Sequence, residues 1–217
     1  MPIAIGYVPI AVAYGALGVA SGLTWWHTLL MSLLVFAGAS QFMAAGMVAA
    51  GAGVVQIIIA TFVLNFRHLI LSLSLFDRLR EISPLRRAAL SLGLTDETYA
   101  VLIARTQHQE PMPTAGFVVG TMITAYLAWV CGSALGAIFA AVIPADISSG
   151  MSVALYAMFI ALLMPAARKS AWAALTAAFA MVLCYGFNQF MAPGWSIVCA
   201  TLLAAFIGPL RLLREAV

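Results

Sequence analysis

The most constraining feature of this sequence is a charged side chain in the middle of an apolar run. Residues 61–77 read TFVLNFRHLILSLSLFD, which places Asn65, Arg67 and His68 within a stretch long enough to cross a lipid bilayer. A guanidinium group at that depth costs at least about 2.5 to 3.5 kcal/mol unless it is paired or hydrated. The rest of the chain must therefore provide a partner for Arg67 inside the membrane.

The candidate partners for Arg67 are few, because the chain contains only 7 acidic residues. Those that suit best are Asp96 and Glu97, which follow Thr95 in a second polar stretch. Intramembrane ionisable groups often line a substrate path, so a site built from the two stretches indicates a transporter. The alternative interpretation is an ion pair that only fixes how the helices pack.

The composition indicates an integral membrane protein. Of the 217 residues, 65% are hydrophobic and only 8% are charged, whereas soluble domains contain roughly 25% charged residues. The apolar segments suit helices of about 17 to 25 residues that cross the bilayer, and they do not suit the shorter strands of a barrel. We therefore expect an all-α, polytopic protein with a single transmembrane domain over residues 1–217. A net charge of +3 gives no indication of nucleic-acid binding.

About seven full crossings are predicted, with the N-terminus outside and no cleaved secretory signal. The first span contains a proline and several glycines, a pattern typical of close helix packing or of a helix opened beside a cavity. Basic residues cluster at 78–87, 168–169 and 211–214, which the positive-inside rule assigns to the cytoplasm. The spans are residues 5–23, 28–50, 54–76, 114–143, 148–165, 171–190 and 195–210.

The segment 85–105 is predicted to be a re-entrant or broken helical segment. Its two arms, LRRAALSLGL and TDETYAVLIAR, are each about 15 Å long as helices, which is half the thickness of a bilayer core. Gly93 suits the end of the first arm, and Thr95 with the acidic residues after it suits the start of the second. A single kinked helix that crosses the membrane is the alternative, and it would place one basic loop on the outer side, contrary to the positive-inside rule.

The second span contains the motif FAGASQF at residues 36–42, where Ser40 and Gln41 bring polar groups to mid-membrane. The amide of Gln41 needs partners for both its donors and its acceptor. Two interpretations are open. The motif is either a helix contact with Gln41 hydrogen-bonded across it, or an unwound segment that lines a substrate site.

A substrate that carries both charges, as a free amino acid does, suits these polar groups. Its carboxylate would bind Arg67 or the start of a half-helix, and its ammonium group would bind Asp96, Glu97 or free carbonyl groups. Four phenylalanines could surround an aliphatic side chain: Phe36, Phe42, Phe62 and Phe66.

His68 is either a proton-coupling residue or a hydrogen-bonded packing residue. Adjacent residues of a helix project about 100° apart. We therefore expect at most one of Arg67 and His68 to point into a common cavity.

The motifs GYVPIAVAYG, FAGASQF, NFRHLI and LTDE, in this order, resemble the AzlC family of branched-chain amino acid permeases over nearly the whole chain. The resemblance implies a multi-pass protein of the cell inner membrane that exports valine, leucine, isoleucine and similar amino acids such as methionine. It also implies a small AzlD-type membrane subunit as a partner. We expect coupling to the proton-motive force and no cofactor. The matching positions are Ser40, Gln41, Asn65, Arg67, His68, Thr95, Asp96 and Glu97, of which His68, Asp96 and Glu97 are the candidates for proton coupling.

The sequence also bears on classes of function other than amino acid transport. An enzyme is disfavoured, because the sequence contains no HExxH or GxSxG motif. No metal-ligand spacing is present, and Cys131, Cys184 and Cys199 lie in apolar runs as packing residues. An ion channel or exchanger, or a transporter of another small solute, would use the same polar cluster. A membrane subunit that transports nothing itself is a further alternative.

Overall fold

A computed structural model describes residues 2–78, 83–107, 115–142, 160, 163–164, 167–168, 170–191 and 193–206. This part of the chain is helical and contains no β-strand, so the all-α architecture is confirmed for it. The helices are α1 (Pro2–Ala20), α2 (Trp25–Leu34), α3 (Gly38–Ala49), α4 (Val54–Arg78), α5 (Pro84–Ser91), α6 (Asp96–Gln107), α7 (Ala115–Phe139), α8 (Ala171–Phe187) and α9 (Pro193–Ala205).

Three of the described helices are long and apolar enough to cross a bilayer. Their apolar spans are Ile3–Ala20 in α1, Val54–Leu75 in α4 and Gly116–Phe139 in α7, in agreement with three predicted crossings. The shorter apolar helices α8 and α9 lie in the last two predicted spans. The predicted span at 148–165 lies almost entirely outside the described residues, and the basic segment 211–214 lies wholly outside them. The number of crossings stays a prediction.

Helices α1 and α7 pack so closely that only glycine fits at their contact. A Cβ added to Gly15 would collide with the main chain at Ser133, and one added to Gly136 would collide with the carbonyl group of Val12. Small residues allow membrane helices to approach in this way and to pack by van der Waals contact. Because α1 is unbroken through its internal proline, the close-packing interpretation of the first span is confirmed.

The second predicted span is not a continuous helix. Helix α2 ends at Leu34 and α3 begins at Gly38, so residues 35–37 interrupt it. Within the break, Phe36 has a φ of 38°, a left-handed value that is rare for residues other than glycine. The prediction of one helix over residues 28–50 is therefore corrected to two half-helices. The unwound segment considered for FAGASQF is present.

The segment 85–105 is broken as predicted, between the end of α5 at Ser91 and the start of α6 at Asp96. Thr95 caps α6, because its hydroxyl accepts the main-chain N–H of Thr98 at 3.3 Å. In return, the main-chain N–H of Thr95 donates to the Thr98 hydroxyl at 2.8 Å. Such a reciprocal cap satisfies two N–H groups at a helix start. Both arms contact α4, and re-entry of this segment into the membrane stays a prediction.

Candidate functional site

An ion pair joins the two polar stretches of the chain. Nη1 of Arg67 on α4 lies 2.7 Å from Oδ2 of Asp96, and the two side chains are 30% and 22% exposed. Asp96 occupies the first turn of α6, where the helix dipole also favours a carboxylate. The partner that the apolar run around Arg67 requires is therefore Asp96.

The neighbouring carboxylate, that of Glu97, is held by a tyrosine from α1. The Tyr7 hydroxyl donates to Oε2 of Glu97 at 2.6 Å, and the same hydroxyl lies 2.5 Å from Oγ1 of Thr95. Tyr7 has one hydroxyl hydrogen, which it gives to Glu97, so Thr95 is the donor in the second contact. This chain of hydrogen bonds connects α1 to the start of α6 and orients Glu97.

His68 faces the same region from α4. Its Nδ1 lies 2.8 Å from the carbonyl oxygen of Leu94. A carbonyl oxygen only accepts, so Nδ1 carries the hydrogen and Nε2 is the nitrogen that can gain a proton. Nε2 is buried without a hydrogen-bond partner among the described residues. Arg67 and His68 both line one cavity, so the expectation that at most one of them would do so is wrong.

These side chains surround a cavity of about 20 Å³, which has room for about one water molecule. It lies among α1, α4, α7 and the starts of α3 and α6. Five of the eight predicted site residues meet here. The lining consists of Tyr7, Phe36, Ala37, Gly38, Ala39, Arg67, His68, Thr95, Asp96, Glu97 and Trp129.

The two helix starts at this cavity differ in charge. Helix α6 is capped by Thr95 and carries two carboxylates in its first turn. Helix α3 has no side-chain cap and no acidic residue in its first turn. Its leading N–H groups, at Gly38 and Ala39, therefore present the partial positive charge of an uncapped helix start. The cavity thus has a negative side at α6 and a positive side at α3, with Arg67 paired to the negative side.

The other three predicted site residues do not line the cavity. Ser40 is buried, and its hydroxyl donates to the carbonyl oxygen of Ala37 at 2.8 Å. Gln41 is 1% exposed, and both ends of its amide are hydrogen-bonded, to the cavity-lining Trp129 and to Ser32. Asn65 lies on α4, with its Oδ1 buried and without a partner among the described residues.

A closed ring of hydrogen bonds braces the broken second span. Nε1 of Trp129 donates to Oε1 of Gln41 at 2.7 Å, and Nε2 of Gln41 donates to Oγ of Ser32 at 3.2 Å. Oγ of Ser32 donates to Oγ of Ser133 at 2.8 Å, and Ser133 donates to the carbonyl oxygen of Trp129 at 2.7 Å. Ser32 precedes the break and Gln41 follows it, so α7 holds both half-helices. Gly38 permits this contact, because its Cβ would lie 2.7 Å from the Trp129 ring.

Replacing Gln41 with leucine is expected to destabilise the protein and to impair transport. The change leaves the Trp129 N–H without its acceptor in a fully buried place, at a cost of about 1 to 3 kcal/mol. The matched control is Gln56→Leu, which removes an amide whose single hydrogen bond, to Gly53, is exposed. Melting temperature in detergent measures the effect. Equal melting temperatures for the two variants would contradict the bracing role of Gln41.

Sequence reasoning missed two residues that line the cavity, Tyr7 and Trp129. A signal existed for each, because a tyrosine hydroxyl or indole N–H buried in a membrane span requires an acceptor. Of the four phenylalanines considered, only Phe36 lines the cavity. Phe42 is buried in the core with α1 and α7 instead. Phe62 and Phe66 lie on α4, and their side chains are exposed.

The fold and the site together define a class of protein. Two interrupted helical segments meet at one partly buried cluster of charges, an arrangement typical of secondary transporters. Among the described residues, no group of His, Cys, Asp and Glu side chains could hold a metal ion.

The chain belongs to the AzlC family, because the family described as AzlC protein matches residues 2–143. An uncharacterized membrane protein of Archaeoglobus fulgidus is 32% identical over 76% of this chain and 71% of its own length. The branched-chain amino acid transport protein AzlC of Bacillus subtilis is 25% identical over 99% of this chain and 82% of its own length. The inner membrane protein YgaZ of Escherichia coli is 28% identical over 63% of this chain and 56% of its own length. No solved structure matches the chain significantly.

Proposed function

We propose that the protein is a secondary transporter of the inner membrane that exports branched-chain and similar hydrophobic L-amino acids, including valine, leucine, isoleucine and methionine. The observation that carries this proposal is the partly buried Arg67–Asp96 ion pair in a small cavity beside the uncapped start of α3. The name of the Bacillus relative supports the substrate class, and that of the Escherichia relative supports the location.

An amino acid zwitterion matches the charges of the cavity. Its ammonium group binds Asp96, while its carboxylate binds Arg67 and the free N–H groups at the start of α3. The first turn of α6 carries two carboxylates, so it suits the ammonium group of the substrate. The first turn of α3 carries no acidic residue, so its N–H groups suit the carboxylate of the substrate. Ser40 and Gln41 act indirectly, because they position the unwound segment that presents these N–H groups.

Binding requires the site to open. A cavity of about 20 Å³ holds no amino acid, and the ion pair of 2.7 Å leaves no space between its partners. The substrate therefore separates Arg67 from Asp96. Its carboxylate then pairs with Arg67, and its ammonium group pairs with Asp96. Because each charge stays paired during this exchange, the desolvation cost of an unpaired ion is avoided.

Proton coupling is assigned to His68, with Asp96 and Glu97 as the neighbouring carboxylates. His68 lines the cavity, and its buried Nε2 has no hydrogen-bond partner among the described residues, so we assign proton exchange to this nitrogen. Export is then driven by the proton-motive force. A small AzlD-type subunit is proposed as the partner in the membrane.

The test is counterflow of labelled valine in proteoliposomes, with and without the co-expressed small subunit. We expect uptake by the wild type and none by Arg67→Ala. The matched control is Arg87→Ala, which removes an arginine of the short helix α5 that does not line the cavity.

Two results would contradict the proposal. Absence of valine counterflow by a correctly inserted protein with its partner would exclude this substrate class. Ion currents that persist without any amino acid would instead favour a channel or an exchanger that uses the same charges.

A further inference from the structure

A second, larger cavity adjoins the polar cavity. It is an open groove of about 480 Å³, a volume within the range of about 300 to 1,000 Å³ for small-molecule sites, and lining residues such as Leu34 and Leu92 are largely exposed. We call it the apolar chamber; it lies between the end of α2, the turn after α5 and one face of α7. Its walls include Val35, Leu90, Met122 and Ile123, and no charged residue lines it.

Phe36 is the wall that the two cavities share. Its ring packs edge-on against Tyr7 of the polar cavity, with centroids 6.4 Å apart, and against Tyr126 of the apolar chamber at 5.2 Å. On the opposite side, Gly93 lines the chamber two residues before Thr95 lines the polar cavity. Phe36 is therefore the lining residue that the two cavities have in common.

The backbone of Phe36 is also unusual. Its φ of 38° is strained for a residue with a Cβ, and it lies in the break between α2 and α3. Strain of this kind costs about 1 to 3 kcal/mol and clusters at ligand clamps and switches. Phe36 lies outside both helices, whereas the carbonyl oxygen of Ala37 accepts the Gln41 N–H at 3.0 Å and the Ser40 hydroxyl at 2.8 Å. The wall that can move without unwinding a helix is therefore the Phe36 side chain.

We propose that the apolar chamber receives the hydrophobic side chain of the substrate, and that Phe36 is the movable wall that admits it. This inference rests on the proposed function. The polar cavity of about 20 Å³ has no room for an aliphatic group, whereas the chamber has room for a leucine or a phenylalanine side chain. An amino acid with its charged end at Arg67 and Asp96 can extend into the chamber once Phe36 has turned aside.

The test changes the size of the chamber from α7, away from the charged groups. Ile123→Trp narrows the chamber, and Ile123→Ala widens it. Ile123 is half exposed, so both changes are compatible with folding. The control is Leu135→Trp, a similarly exposed position on the same helix that does not line the chamber. Competition of unlabelled alanine, leucine and phenylalanine against valine counterflow is the readout.

We expect Ile123→Trp to weaken competition by leucine at least about tenfold relative to alanine, because hydrophobic pockets discriminate about 10- to 200-fold by side-chain size. Ile123→Ala is expected to shift the preference towards phenylalanine. The Leu135→Trp control is expected to keep the wild-type order.

Unchanged ratios in both Ile123 variants would overturn the inference, and a lipid chain in the chamber would give that result. Equal loss for all three amino acids would also overturn it, since it would show a structural role only. Both outcomes differ from failure of the proposed function, in which the wild type itself shows no counterflow.

Discussion

Replacing Arg67 with glutamine and Asp96 with asparagine together is expected to give a folded protein whose transport is reduced about hundredfold or more. The double change removes both charges at once, so neither remains unpaired, and two amides can still hydrogen-bond across the same gap. A zwitterionic substrate, however, loses both of its ionic partners. Removing one partner of a hydrogen-bonded charge pair in a binding site costs about 2 to 5 kcal/mol of binding free energy. Valine counterflow and melting temperature in detergent measure the two effects separately.

The single variants distinguish a binding role from a packing role. Arg67→Gln alone leaves the Asp96 carboxylate unpaired, so it should melt below the double variant. The loss of folding free energy in Arg67→Gln should be larger than the roughly 1 kcal/mol or less expected for an exposed ion pair. It should be smaller than the loss of about 3 to 5 kcal/mol expected for a buried one. If the double variant recovers transport as well as stability, the ion pair serves helix packing and the proposed substrate contacts are wrong.

Gly136→Leu is expected to prevent α1 and α7 from packing and to abolish the folded protein in detergent. The new side chain would meet the Val12 carbonyl group, which is main chain and cannot turn aside. Overpacking costs about 1 to 3 kcal/mol even where side chains can adjust, and more where they cannot. Size-exclusion chromatography and melting temperature report the loss.

Gly120→Leu is the matched control on the same helix, because nothing lies within 4 Å of the Cβ that it would add. It should behave as the wild type does. A Gly136→Leu protein that melts within about 2 °C of the wild type would contradict the close contact, since 1 kcal/mol corresponds to about 2 to 4 °C at this chain length.

The sequence was sufficient to predict the charged part of the site. An arginine in an apolar run needs a counter-ion, and few carboxylates exist in the chain, so a pair between Arg67 and either Asp96 or Glu97 followed from energetics; the structure pairs Arg67 with Asp96. The broken segment at 85–105 followed from its turn residues and from the length of its arms. Local chemistry determines both features, and local chemistry can be read from one sequence.

The sequence offered an interruption at FAGASQF as one of two open interpretations, and it could not decide between them. Nothing in the local sequence excludes a helix there, and the break persists because Trp129 and Ser133 on α7 hold Gln41 and Ser32 on either side of it. These partners are distant in sequence. The same reason explains why Tyr7 and Trp129 were missed, since their role depends on which helices are neighbours.

The glycine contact between α1 and α7 determines which movements the protein can make at low cost. Separating these two helices would lose contacts that run along their main chains. Moving α6 away from α1, by contrast, breaks two hydrogen bonds of the Tyr7 hydroxyl. Without substrate, separation of α6 from α4 would also leave Arg67 and Asp96 unpaired. In the proposed transport cycle, the Arg67–Asp96 ion pair would therefore keep the empty protein closed, and a zwitterionic substrate that pairs with both charges would allow α6 to move.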